Sequence, residues 1–146
     1  MKTTVWGPVF WRGMHAIASR YDPLELASFQ RFYTVLLPKL IPCTTCRKHY
    51  KNIVHSQSFN HSAIFRSRES LTKWVYDLQS AVNTRVNGYL GKPYKAPTLE
   101  NVRRKYETHA KKHVLEFSTF LVEKSRAKPK LVAHTLLNLS KMLIEK

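Results

Sequence analysis

Apolar side chains recur at three- and four-residue intervals along most of this 146-residue chain, and that spacing leaves little room for anything but helices. Trp11, Met14, His15 and Ala18 share one helical face and end at Tyr21-Asp22-Pro23. Pro8 suits the first turn of that helix. Leu26, Phe29, Phe32, Tyr33 and Leu36 form the next stripe, within a helix from about Leu24 to Leu37 that Pro38 and Pro42 stop. A third helix is expected from Thr44 to His55, then a polar loop around 56–62. Leu71, Trp74, Leu78 and Val82 line a fourth helix over Ser67–Val86, and Asn87-Gly88 and Gly91-Lys92-Pro93 read as turns. Thr98 caps a fifth helix whose stripe runs Leu99, Val102, Tyr106, Ala110, His113, Phe117 and Leu121. After a basic linker, Lys124 to Lys130, a last amphipathic helix carries Val132, Leu136, Leu139 and Leu143. Only four glycines and few alternating apolar runs agree with an all-α fold. This length supports one core with room for an appendage.

The formal charge of +16 raises the question of nucleic acid. Residues 1–97 hold 14 Lys/Arg against 4 Asp/Glu, and residues 98–146 hold 11 against 5, so the excess is spread rather than gathered in a tail. That spread favours a solvated cationic surface that attracts acidic partners, with nucleic acid as the lesser reading. Trp6-Gly7-Pro8, Arg12 and His15 interrupt any apolar run of signal-peptide length. The most apolar stretches, Val35–Pro42 and Leu131–Ile144, are too short or too polar to span a bilayer. A soluble, cytoplasmic protein without a membrane partner is the expectation.

Cys43 and Cys46 are the only cysteines, and they open the third helix as Pro42-Cys-Thr-Thr-Cys-Arg-Lys-His49-Tyr50. Helix amide dipoles and neighbouring cations there favour thiolate. A lone CxxC beside a histidine has three readings: a thioredoxin-type pair, half of a zinc site, or a flavin-coupled thiol oxidase. No convincing strand precedes Cys43, against the first. Zinc would take both cysteines and two of His49, His55 and His61, at a spacing shorter than that of standard fingers. In that case the chain would be a small basic nucleic-acid-binding protein; a helical interaction module with an incidental CxxC is the other rival.

An ordered set of further residues bears on the third reading. It runs Trp6-Gly7-Pro8, Trp11, Met14-His15, Ala18 and Tyr21; then Cys43, Cys46, His49-Tyr50; then Trp74, Val82-Asn83 and Arg85; then Gly91-Lys92-Pro93. Over residues 6–106 this resembles the Erv/ALR family of FAD-linked sulfhydryl oxidases, most of all its compact viral members. The resemblance implies a four-helix bundle cradling FAD with a short fifth helix, assembled as a homodimer, and acting in a virus-infected cell or the virion. The oxidase domain would be residues 1–113, with 114–146 a helical extension packed on the bundle or on the dimer partner. The implied activity is disulfide formation in thiol-containing protein substrates, with oxygen accepting the electrons and giving hydrogen peroxide. Cys43 would meet the substrate thiol and Cys46 the flavin.

The resemblance further implies FAD contacts from Gly7, Trp11, His15, Tyr21, His49, Trp74, Val82, Asn83, Arg85, Lys92 and Tyr106, with no metal. Several of these have plainer readings from the residues alone. Trp11 and His15, one turn apart, would suit an ordinary core. Trp74 fits the apolar stripe of its helix as well as an adenine stack, and Tyr106 a core tyrosine as well as the adenine end. Arg85 and His49 read otherwise as surface residues. Two departures stand out: Gln79-Ser80 replaces the family's His-Asn, and Val86 to Leu90 are extra residues ahead of Lys92.

Overall fold

The computed structural model describes residues 1–143; positions 144–146 of the expected extension lie outside them. Among the described residues all regular structure is helical. The helices are α1 (Thr3–Ala18), α2 (Leu26–Arg31), α3 (Leu37–Leu40), α4 (Thr44–Val54), α5 (His61–Ile64), α6 (Arg68–Tyr89), α7 (Leu99–Lys124) and α8 (Pro129–Met142). A 3₁₀ turn (Pro23–Glu25) leads into α2, and a π-helical stretch (Phe32–Leu36) joins α2 to α3.

Helix α1 begins a turn earlier than Pro8. Trp6 is buried and meets Phe10 edge to face at 5.4 Å, which anchors the extra turn. Pro8 therefore sits inside the helix, where its missing N–H leaves only the carbonyl of Thr4 without its usual partner. The helical path also continues through Pro38, where the sequence places a stop. The π stretch explains this: Leu37 N–H reaches back to Phe32 O, and the widened turn relieves the crowding a proline ring causes one turn upstream. Within the loop expected at 56–62, Asn60 Oδ1 accepts from Ala63 N–H at 3.0 Å and starts the short α5.

The cap expected at Thr98 forms, and a second one not singled out in the sequence stands at Ser67. Thr98 Oγ1 accepts from Asn101 N–H at 3.1 Å, and Ser67 and Ser70 make a reciprocal capping box at the start of α6. Helix α6 runs through Asn87-Gly88, and the chain turns instead at Gly91, whose φ of 67° is the left-handed region that favours glycine.

The core gathers Ile17 from α1, Phe29 from α2, Phe32 and Tyr33 from the π stretch, Leu71 and Val75 from α6, and Phe117 and Leu121 from α7. Helices α1 and α7 make the most extensive contact. Gly13 permits their approach, since a Cβ there would stand 2.7 Å from Phe117 Cγ. Helix α7 consists of two helical segments joined at a kink at His109 (φ −120°, ψ 22°), so its first segment, residues 99–108, is short, as the resemblance implies for a fifth helix, and a second segment continues beyond it. Residue 113 thus falls inside a helix that carries Phe117 and Leu121, both wholly buried, into the same core. Helix α8 folds back on α2 and the π stretch of its own chain. Val132 and Leu139 are buried there and Leu136 and Leu143 half-buried, while Asn138 Nδ2 donates to Ser28 O at 2.9 Å.

Candidate redox site

Cys43 occupies the N-cap of α4, with extended backbone ahead of the first helical turn. Its Sγ accepts from Cys46 N–H at 3.2 Å, as a serine or aspartate oxygen does at this position. Both cysteines are half-buried free thiols. The hydrogen bond from the Cys46 side chain, then that from the Cys46 amide, holds the Cys43 thiol below its ordinary pKa, and the Arg47 charge adds to this. Burial pushes the Cys46 thiol up to about 11, helped by its hydrogen bond to Cys43 and by the Cys43 charge. The reduced pair therefore ionises first at Cys43, with the remaining proton on Cys46. Arg85, reaching from α6, acts in the opposite sense on Cys46, which puts that guanidinium within electrostatic range of the pair.

A second group assembles where α1, α6 and α7 meet. His15 is buried, and its Nε2–H donates to Gln79 Oε1 at 2.5 Å. Tyr106 stacks on the imidazole with centroids 4.9 Å apart and an interplanar angle of 14°. Burial brings the His15 pKa down to about 4, against the opposing pull of the Gln79 hydrogen bond. The ring is thus neutral at physiological pH, with its proton on Nε2 and a lone pair on Nδ1. That Nδ1 is buried without a hydrogen-bond partner.

From the sequence, Gln79 is notable only as a departure from the family pattern. It stands four residues before Asn83 and three before Val82, on the α6 face that carries both. That spacing was the available signal. Long-range pairing with His15 was not visible in it.

The other expected residues divide. Trp11 on α1 and Val82 and Asn83 on α6 are half-buried. Gly7 is buried, yet a Cβ added there would meet only Thr3 Cγ2, at 3.4 Å. Trp74 is half-buried among aromatic edges, with Phe59 at 5.4 Å, Tyr33 at 6.0 Å and Tyr50 at 6.4 Å. Tyr21 lies deep in the core, its hydroxyl donating to Phe65 O at 2.5 Å. His49 and Arg85 are exposed, and Lys92 is exposed beyond the end of α6. Among the described residues no three His, Cys, Asp or Glu side chains converge as a metal site. His61 rests against Phe59 at 4.7 Å, and His55 lines a cleft on the face of α4 away from Cys46.

Two observations fit a flavin. The orphaned His15 Nδ1 needs a donor from outside the chain, and the space beside the buried Gly7 is what a cofactor approaching the backbone requires. The description of the Erv1/Alr family matches residues 8–117, from Pro8 in α1 to Phe117 in α7. The chain belongs to the Erv1/Alr family.

Two viral proteins described by name as FAD-linked sulfhydryl oxidases are similar to this Erv1/Alr chain. One, from Invertebrate iridescent virus 6, is 31% identical over 96 residues, covering 61% of this chain and 82% of that protein. The other, from Acanthamoeba polyphaga mimivirus, is 31% identical over 87 residues, covering 57% of this chain and 59% of its own length. No solved structure matches the chain.

Proposed function

We propose that this Erv1/Alr protein is an FAD-dependent thiol oxidase that makes disulfides in other proteins through Cys43 and Cys46. One observation carries the reading: the family span contains a CxxC whose first thiol caps a helix as the more acidic partner and whose second is desolvated. When bound, FAD supplies a two-electron acceptor that oxygen reoxidises with formation of hydrogen peroxide. The candidates to hold it are Gly7, Trp11, His15, Trp74, Val82, Asn83, Arg85 and Tyr106, with His49 and Lys92 at the exposed margin. His15 would accept through Nδ1, and Arg85 would meet the pyrophosphate charge. Tyr21 would act from the core that supports them.

In the oxidised pair a substrate thiolate attacks Cys43 Sγ, the Cys43–Cys46 bond breaks, and Cys46 leaves as thiolate. A second substrate thiolate then attacks the substrate sulfur of the mixed disulfide. The substrate disulfide forms and Cys43 departs as a thiolate stabilised by the Cys46 N–H. Two electrons now reside on the pair, and Cys46 is the sulfur from which they pass onward. The viral origin of both relatives supports work in an infected cell, and a homodimer belongs to the same proposal. No helix of the described residues is long and apolar enough to cross a membrane.

The test is purification of the full chain, with flavin measured by absorbance and oxygen consumption and peroxide measured with dithiothreitol. Yellow protein that turns over, with both Cys43→Ser and Cys46→Ser inactive but flavin-bound, is the expected result. Colourless protein with stoichiometric zinc, or substantial turnover in either variant, would overturn it.

A further inference from the structure

The face of α4 opposite Cys46 carries a second stripe. Thr44, Arg47, Lys48, Lys51 and His55 run down it from the residue next to Cys43, and they form one wall of a cleft of about 520 Å³. The π stretch and α3 form the other wall, where Val35 and Pro38 give an apolar floor and Lys39 a further cation. Lys128, from the link between α7 and α8, closes one end, with its Nζ donating to Lys39 O at 2.9 Å. Five Lys/Arg and one His thus line the cleft, and no carboxylate does. Ion pairs seen elsewhere in the molecule involve other cations: Arg12, Lys73, Arg103 and Arg104, with His113 beside Glu116. Burial and the Arg47 charge both press Lys128 to give up its proton, as expected where cations are crowded.

We propose that this cleft docks an acidic segment of the protein substrate, held beside the thiol that reacts at Cys43. The proposal rests on the thiol-oxidase reading and names its substrate class. From Thr44 to His55 the stripe rises about 16 Å along the helix, which matches about five residues of extended peptide. Its upper end meets the α4 N-terminus, where the thiol pair stands. A carboxylate-bearing strand lying along α4 would pair with the cations of the cleft and bring an adjacent cysteine to Cys43. The apolar floor would take an aliphatic stem between the charges. The opposite face of α4, which carries Cys46 and the half-buried Ile53, is left to the other half of the reaction. A cleft this short that leads to a thiol fits a peptide better than a nucleic acid, whose recognition needs charge over a longer track.

The experiment uses the flavin-loaded full chain, Lys48→Gln/Lys51→Gln, and three dithiol peptides that share one Cys-Gly-Pro-Cys centre and carry glutamate, serine or lysine flanks. Both lysines are exposed and helical, so glutamine leaves α4 its propensity; a thermal melt and flavin content check this. The wild type is expected to oxidise the glutamate peptide with the lowest KM and to lose that preference at high salt. The double variant is expected to raise KM for that peptide alone by about five- to tenfold, with kcat and dithiothreitol oxidation unchanged. A labelled, cysteine-free glutamate peptide gives a binding readout that does not depend on turnover. If dithiothreitol is not oxidised by the wild type, the oxidase reading fails, and anisotropy with this peptide still decides the docking claim. Equal KM for all flanks, binding unaffected by the double variant, or tighter capture of a single-stranded oligonucleotide that the glutamate peptide cannot displace, would each overturn the proposal.

Discussion

The burial of His15 has a consequence that can be measured as stability against pH. Its pKa is about 4 in the folded protein and 6.5 when exposed to water, so between those values the unfolded chain binds a proton that the folded chain refuses. Protonation therefore favours unfolding: the His15 contribution is fully present above pH 6.5 and is lost as pH falls towards 4. From about pH 7 to about pH 4.5 the linkage amounts to about 2–3 kcal/mol. At this chain length that is about 5–10 °C in Tm. His113, also lowered by burial, adds loss of the same sign, and Glu116, held low mainly by Arg12, adds loss at the acid end. The difference between wild type and His15→Leu isolates the His15 part. Melts followed by far-ultraviolet circular dichroism across this range, with flavin content measured beside each, should show a distinctly flatter curve for His15→Leu. Gln79→Leu should behave in the opposite way: losing the hydrogen bond that raises the His15 pKa extends the decline to lower pH. It also strands a buried Nε2–H, at a cost of about 1–3 kcal/mol at neutral pH. Parallel curves for wild type and His15→Leu would refute the placement of a neutral, desolvated imidazole in this site.

Limited alkylation of the reduced protein at neutral pH should label Cys43 ahead of Cys46, read by peptide mass spectrometry; preferential labelling of Cys46 would reverse the order of ionisation. Gly13→Ala brings a Cβ to 2.7 Å from the ring of a wholly buried Phe117. Overpacking of about 1–3 kcal/mol should outweigh the helix-propensity gain of about 1 kcal/mol, so Tm should fall, and a rise would show that α1 and α7 sit further apart. Truncation after Ala127 removes Val132, Leu139 and Met142 from α2 and the π stretch, and should lower Tm equally at every protein concentration. A loss that grows on dilution would instead place this helix in a dimer interface.

The helical segmentation, the cap at Thr98 and the position of the CxxC at a helix start were legible from the residues alone, because these depend on neighbours within about one turn of the chain. The sequence also carried the family pattern in order along residues 6–106. Where the helices depart from the local pattern, the cause is tertiary. Trp6 extends α1 because Phe10 and the core receive it, and the helical path passes Pro38 because buried side chains on both sides of it hold a π turn together. Which faces meet depends on the packing of distant helices. His15, Gln79 and Tyr106 come from three helices, and nothing in their separate spacings links them. The Cys46 pKa rises chiefly through desolvation, a property of what covers the thiol rather than of the motif around it. The apolar stripe of α8 was legible as a stripe, but its destination on α2 and the π stretch was not. The basic cleft likewise exists only because α4, α3 and Lys128 converge, turning a charge that is diffuse along the chain into a concentrated one in space. Periodicity tells each helix which side to bury, and the matching of shapes between helices selects the partner.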